Sequence, residues 1–222
     1  YGLAGLFIPA SLSVVLTISE GGFVTMNETG PQLDYAALFT SPLAWSIIVL
    51  SITAVLYISA VFLTWYSSKA GDSKASDLMR KYALVWSIPL IVSAFGIIIE
   101  LRRTGNWHYA NMIDLSWLFI VSGILFLATI WLLWGKVKYG FAVVVMILQF
   151  ATAFFAYGIS HYPYLLHPYL TVDDSFTTEA MAIALVIAFI AGLCLLIPSM
   201  YLVFKLFIFN KGYVSGEDET HV

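Results

Sequence analysis

Six apolar runs, each close to or beyond the length of a bilayer crossing, constrain this chain more than anything else in it. They cover roughly Gly2 to Ile18, Leu43 to Tyr66, Tyr82 to Leu101, Leu115 to Trp134, Tyr139 to Ile159 and Ala180 to Phe209. A spanning helix needs about 20 apolar residues; the first run is slightly short and the last is long. Lipid offers backbone N–H and C=O groups no water, so only helices or closed barrels cross it. A barrel would show short alternating strands, whereas these runs are continuously apolar. Only 10% of the residues are charged and 61% are hydrophobic, with a mean hydropathy of +0.91; a soluble domain carries about 25% charge. The expected fold is therefore all-α: a polytopic membrane helical bundle of six transmembrane helices within residues 1–211, then a polar tail at 212–222. A net charge of -3 gives no basic surface for nucleic acid, and the single cysteine, Cys194, permits neither an internal disulfide nor a cysteine metal cluster. Tyr1 is not an initiator methionine and leads straight into an apolar run, so the chain is expected to be part of a longer protein.

The connections orient the helices. Lys69, Lys74, Arg80 and Lys81 follow the second run, Lys136 and Lys138 the fourth, and Lys205 and Lys211 lie at the end. On the alternate side only Arg102 and Arg103 are basic, while Glu20, Glu28 and Asp34 follow the first run. Eight basic residues against two place the Ser67 to Lys81 loop and the C-terminus in the cytoplasm. The segment Ser160 to Glu179 is then outside. Its Pro163 and Pro168 interrupt helix, and its aromatic residues suit the headgroup level. Trp107, Trp117, Trp131 and Trp134, with Tyr66, Tyr82 and Tyr139, lie near run ends and read as interface anchors. Pro89 and Pro198 fall inside runs, where each is expected to kink its helix. In the last run Ala180, Ala184, Ala188 and Gly192 recur every fourth residue. This spacing puts four small side chains on one face, open to close helix approach.

Ionisable groups inside a membrane are costly and so mark candidate sites. Here they cluster at the outer face: Glu100, Arg102 and Arg103 end the third run, and Asp114 begins the fourth. One reading puts Glu100 and Asp114 on a proton or quinol path. The simpler one pairs Glu100 with an arginine and sets Asp114 near a helix N-terminus. Gln149 lies mid-run and needs a partner across helices, and Lys205 can snorkel to the cytoplasmic headgroups. His108, His161, His167 and His221 all fall outside the runs. A membrane haem needs its axial histidines on helices at haem depth, so this chain is expected to bind no haem. His161 and His167 could hold a metal, but their spacing fits no ligand pattern and prolines intervene. No catalytic, cofactor-binding or metal-binding residue is expected.

The stretch Tyr162-Pro163-Tyr164, then Pro168, Leu170, Thr171 and Asp173 or Asp174 before the last run, resembles the end of subunit II of the cytochrome bd-type quinol oxidases. The order and lengths of the other runs and the basic Ser67 to Lys81 loop agree with that family. The resemblance implies a subunit of eight spans, of which the chain holds the third to eighth. Its glycine-phenylalanine-aspartate and tryptophan-aspartate motifs, tied to proton access, would lie in the missing two. It further implies a non-haem partner of the haem-binding subunit I, with which a small single-helix subunit can associate, in a complex that oxidises quinol and reduces oxygen to water. A divergent, cyanide-insensitive-type member remains open. The competing class is a fragment of a secondary transporter or channel, in which broken helices carry charge near the midplane. Pro89 and Pro198 have no charge beside them.

Overall fold

The structure, a computed structural model, describes residues 2–28, 30–105, 107–173 and 178–205. The chain opens with an apolar helix α1 (Gly2–Ser19) and a hairpin of β1 (Val24–Asn27) and β2 (Gly30–Leu33), followed by a short helix α2 (Tyr35–Thr40). Two long antiparallel helices follow, α3 (Pro42–Lys69) and α4 (Ser73–Arg103). A short helix α5 (Trp107–Asp114) leads into α6 (Ser116–Trp134) and α7 (Tyr139–His161). A small hairpin of β3 (Tyr164–Leu166) and β4 (Leu170–Thr171) precedes α8 (Glu179–Phe204).

Among the described residues, α3, α4, α6, α7 and α8 are long and apolar enough to cross a membrane, and α1 is a shorter apolar helix. The chain is thus an integral membrane protein of helical design. Of the six spans expected, five have described helices long and apolar enough to cross a membrane, and α1, at the first, is shorter. The two hairpins were not foreseen from an all-helical reading. The last residues assigned to the sixth run (206–209), the polar tail at 212–222 with His221, and Asp174 lie outside the described residues.

Helix ends differ from the apolar runs for a definite reason. Hydropathy marks where lipid begins, whereas caps mark where helix begins. The Asp72 side chain accepts a hydrogen bond from the Ala75 N–H at 2.9 Å, so α4 starts at Ser73 rather than Tyr82. Its first turns are polar and project beyond the apolar run. There Asp77 meets Lys136 at 3.0 Å and Arg80 at 3.4 Å, tying the α3–α4 end to the α6–α7 connection. Ser41 caps α3 and Pro42 occupies its first turn, where no intrahelical N–H is needed. Both α4 and α8 run as helix through Pro89 and Pro198.

The core lies where α3, α4, α6 and α7 meet. Tyr57, Val61, Ala83 and Leu133, with Ala142 and Met146, form its centre. Ala83 and Ala142 are fully buried, as expected where small side chains let backbones approach. Gln149 is also buried; its main-chain carbonyl accepts from Ser122 Oγ at 3.0 Å, which joins α6 to α7. Its side-chain Oε1 has no hydrogen-bond partner among the described residues, so the cross-helix bond is made by its backbone. In contrast, α8 has no buried residue, and Ala180, Ala184, Ala188 and Gly192 are all exposed within the chain.

Candidate functional site

At the end of the bundle opposite Asp77, four segments far apart in sequence converge on one carboxylate. Glu20 follows directly on α1 and is only 2% exposed. The helix ends there because Gly21 and Gly22 take positive φ values of +91° and +84°, which favour glycine at a helix C-terminus. At Gly21 an added Cβ would lie 2.6 Å from the His167 carbonyl oxygen, so the loop after α7 packs directly on this turn. The His167 N–H donates to the Ser19 carbonyl at 3.1 Å and so satisfies one of the free carbonyls at the end of α1.

The last turn of α7 supplies Tyr157, Ser160 and His161; spacings of three and four residues put them on one face. The helix α5 supplies His108, which is completely buried, and Asn111 three residues on. His108 Nδ1 lies 2.9 Å from each Glu20 carboxylate oxygen, and His108 Nε2 lies 2.7 Å from Ser160 Oγ. The Tyr157 hydroxyl donates a short hydrogen bond to Glu20 Oε1. Ser160 Oγ donates to the Tyr157 carbonyl at 2.8 Å, and Asn111 Nδ2 donates to the Ser160 carbonyl at 3.0 Å. His161 Nδ1 is 3.7 Å from Glu20 Oε1, beyond hydrogen-bond reach. Both His161 ring nitrogens are buried without a hydrogen-bond partner among the described residues.

Aromatic rings close this centre toward the surface. Trp107 stacks on His108 at 5.3 Å and on His167 at 5.0 Å between ring centres, and meets Tyr164 edge-on at 4.8 Å. Burial lowers the His167 imidazole below its ordinary range, and the Glu20 carboxylate acts against that shift. Together these groups can hold a proton or a cation beside a buried carboxylate. Ser160 Oγ lies beside His108 Nε2 and Glu20 beside Nδ1, but Ser160 is itself buried and bonded to the Tyr157 carbonyl, so the hydroxyl is part of the packed centre.

Sequence reading divided these residues among loops. Glu20 was counted as a loop charge, but is the buried centre. His108, set outside the runs, lies on α5 with no exposure, and His161 is the last residue of α7, which continues two residues past Ile159. Trp107 packs in the aromatic cluster beside His108, whereas Trp117, Trp131 and Trp134 are 59–74% exposed. Glu100 pairs with Arg103 at 3.6 Å, one helical turn on. Asp114 is exposed and ends α5 instead of starting α6. The i, i+3, i+4 spacing of Tyr157, Ser160 and His161 was a readable signal. Nothing local joins Glu20 to His108, which are 88 positions apart.

A family model described as cytochrome bd terminal oxidase subunit II matches residues 1–207. A putative cytochrome bd menaquinol oxidase subunit II of Bacillus subtilis (strain 168) is 32% identical over 225 residues, covering 98% of this chain. A chain in the structure of bd oxidase from Geobacillus thermodenitrificans is 57% identical with a TM-score of 0.79, covering 95% of this chain. The chain spans 65% of the length of the first relative and 64% of the second.

Proposed function

The chain belongs to the cytochrome bd terminal oxidase subunit II family, and we propose that it acts as the non-haem membrane subunit of a bd-type respiratory oxidase. In this reading it supports the haem-binding subunit I, which oxidises quinol and reduces oxygen to water, and it binds no haem itself. The observation that carries the reading is the family match, which runs along residues 1–207 and spans all the described helices. The fully exposed α8 supports it, because an apolar helix that buries nothing in its own chain has its surface free for lipid or for another helical subunit. A small single-helix subunit can use the same kind of surface. Glu100, Arg103 and Asp114 then act as charges of the outer headgroup region. A transporter fragment is not favoured. Deleting the gene is expected to abolish quinol-dependent oxygen uptake through the bd-type enzyme, and this subunit purified alone is expected to show no reduced-minus-oxidised haem spectrum. Unchanged uptake, or a stoichiometric haem signal, would sink the reading.

The orientation belongs to the same proposal. Residues 1–211 form the membrane part, and the tail at 212–222 lies in the cytoplasm, on the side of the eight basic residues. In a Cys194→Ala background, Thr171→Cys should react with an impermeant thiol reagent on intact cells while Ser73→Cys is protected. Labelling of Ser73→Cys alone would invert the topology.

The stripe of Ala180, Ala184, Ala188 and Gly192 is proposed as the face on which α8 meets its neighbour. Ala188→Leu should reduce the yield of assembled complex more than Leu185→Ala, since the added bulk blocks close backbone approach. Wild-type yields for both variants would remove the stripe as an interface.

A further inference from the structure

We propose that Glu20, His108 and His161 form a binding site for a divalent cation of the zinc class at the outer end of the bundle, a site independent of the oxidase reading. One ligand atom from each residue lies within 4.8 Å of the others. Tetrahedral coordination at ~2.0–2.1 Å places neighbouring ligand atoms about 3.3 Å apart. The separations of 2.9 Å from Glu20 Oε1 to His108 Nδ1 and 3.7 Å to His161 Nδ1 bracket that value. Two imidazoles and one carboxylate suit zinc better than magnesium or calcium, which prefer oxygen ligands.

The hydrogen bonds around His108 identify what its Nδ1 faces. Ser160 has one hydroxyl proton and donates it to the Tyr157 carbonyl. With that proton on the carbonyl, His108 Nε2 carries the ring N–H toward Ser160 Oγ, and Nδ1 meets the carboxylate through a further proton or a cation. With the Ser160 proton turned to Nε2 instead, the Nδ1–H donates to Glu20 directly. A proton satisfies Glu20 and His108 but does nothing for His161, whose two buried nitrogens have no hydrogen-bond partner among the described residues. A cation uses all three. The Asn111 and Ser160 hydrogen bonds also supply what metal-binding histidines require, a fixed ring held from its far nitrogen. His161 retains 13% side-chain exposure against 1% for Glu20 and none for His108, so it marks the side of entry. This donor set differs from the His161–His167 pair suggested by the loop alone, because Glu20 and His108 replace His167.

The test uses the complex purified from its native membrane. After treatment with a chelator and re-equilibration with zinc ions, wild type should retain about one zinc per copy of this subunit by elemental analysis. His161→Ala should weaken zinc binding at least tenfold while its absorption spectrum shows an assembled complex. Ser160→Ala should weaken it by a smaller factor, and His167→Gln should leave it unchanged. If His161→Ala fails to assemble, zinc-edge X-ray absorption of wild type decides: nitrogen and oxygen neighbours at ~2.0–2.1 Å with imidazole scattering support the site. Equal zinc in wild type and His161→Ala, or no bound zinc in wild type, overturns it and leaves a protonated His108–Glu20 pair.

Discussion

Glu20→Ala is expected to destabilise the subunit by about 2–5 kcal/mol, because it leaves two hydrogen-bonding groups without their acceptor at roughly 1–3 kcal/mol each. The carboxylate is the acceptor for the Tyr157 hydroxyl and faces His108 Nδ1; His108 is completely buried and Tyr157 partly so. Its loss strands two polar groups at a point where α1, α5 and α7 meet. Desolvation of unpaired groups, more than the lost attraction, sets the size of the effect. Glu20→Gln keeps the shape and one acceptor oxygen but removes the charge, so it should fall between alanine and wild type. Glu28→Ala, at an exposed position on the β1–β2 hairpin, is the control and should change little. Thermal denaturation of the purified complex measures all three. Matching curves for Glu20→Ala and Glu28→Ala would show that the centre contributes nothing to stability.

The second large effect is expected at a neighbouring glycine. Gly21→Ala and Gly22→Ala both place a side chain at positive φ, which costs roughly 1–2 kcal/mol for an L-residue. Only at Gly21 does the new Cβ also meet an obstacle, the His167 carbonyl oxygen at 2.6 Å and His167 Nδ1 at 3.0 Å; at Gly22 nothing lies within 4 Å. The carbonyl belongs to backbone that is itself bonded to Ser19, so it cannot step aside without breaking the junction. Gly21→Ala should therefore cost about 3 kcal/mol or more, the strain plus an overpacking penalty of roughly 1–3 kcal/mol. Gly22→Ala should stay near the strain alone. The same denaturation measurement compares them, and equal losses would mean that the contact with His167 carries no energy.

The helical membrane fold was legible because lipid imposes a simple rule on sequence, a long apolar run for each crossing. The breaks at Pro163 and Pro168 were legible for the same kind of reason, since a missing N–H acts locally. Helix ends were less so: Asp72 starts α4 well before the apolar residues begin, and hydropathy does not register a cap. Least legible was the buried centre. Glu20, beside two glycines and ahead of a polar hairpin, has the local signature of a solvated loop charge. Its burial is decided by residues on α5 and α7, and a sequence read in windows contains no term for that. The His108 ring and the Trp107 indole were misplaced for the same reason, as each is positioned by elements outside its own segment.

The spacing of those partners along the chain sets an order of events during synthesis. The residues that satisfy Glu20 come 88 and 137 positions after it in the chain. A growing chain that has made only α1 to α4 carries the Glu20 carboxylate without these partners. Its first partner arrives when α5 delivers His108, and its second when the last turn of α7 delivers Tyr157. The loop that seals α1 through the His167 N–H follows later still. This end of the bundle thus closes only after α7 is made, and a nascent chain stopped before Tyr157 exposes a carboxylate that the finished subunit hides.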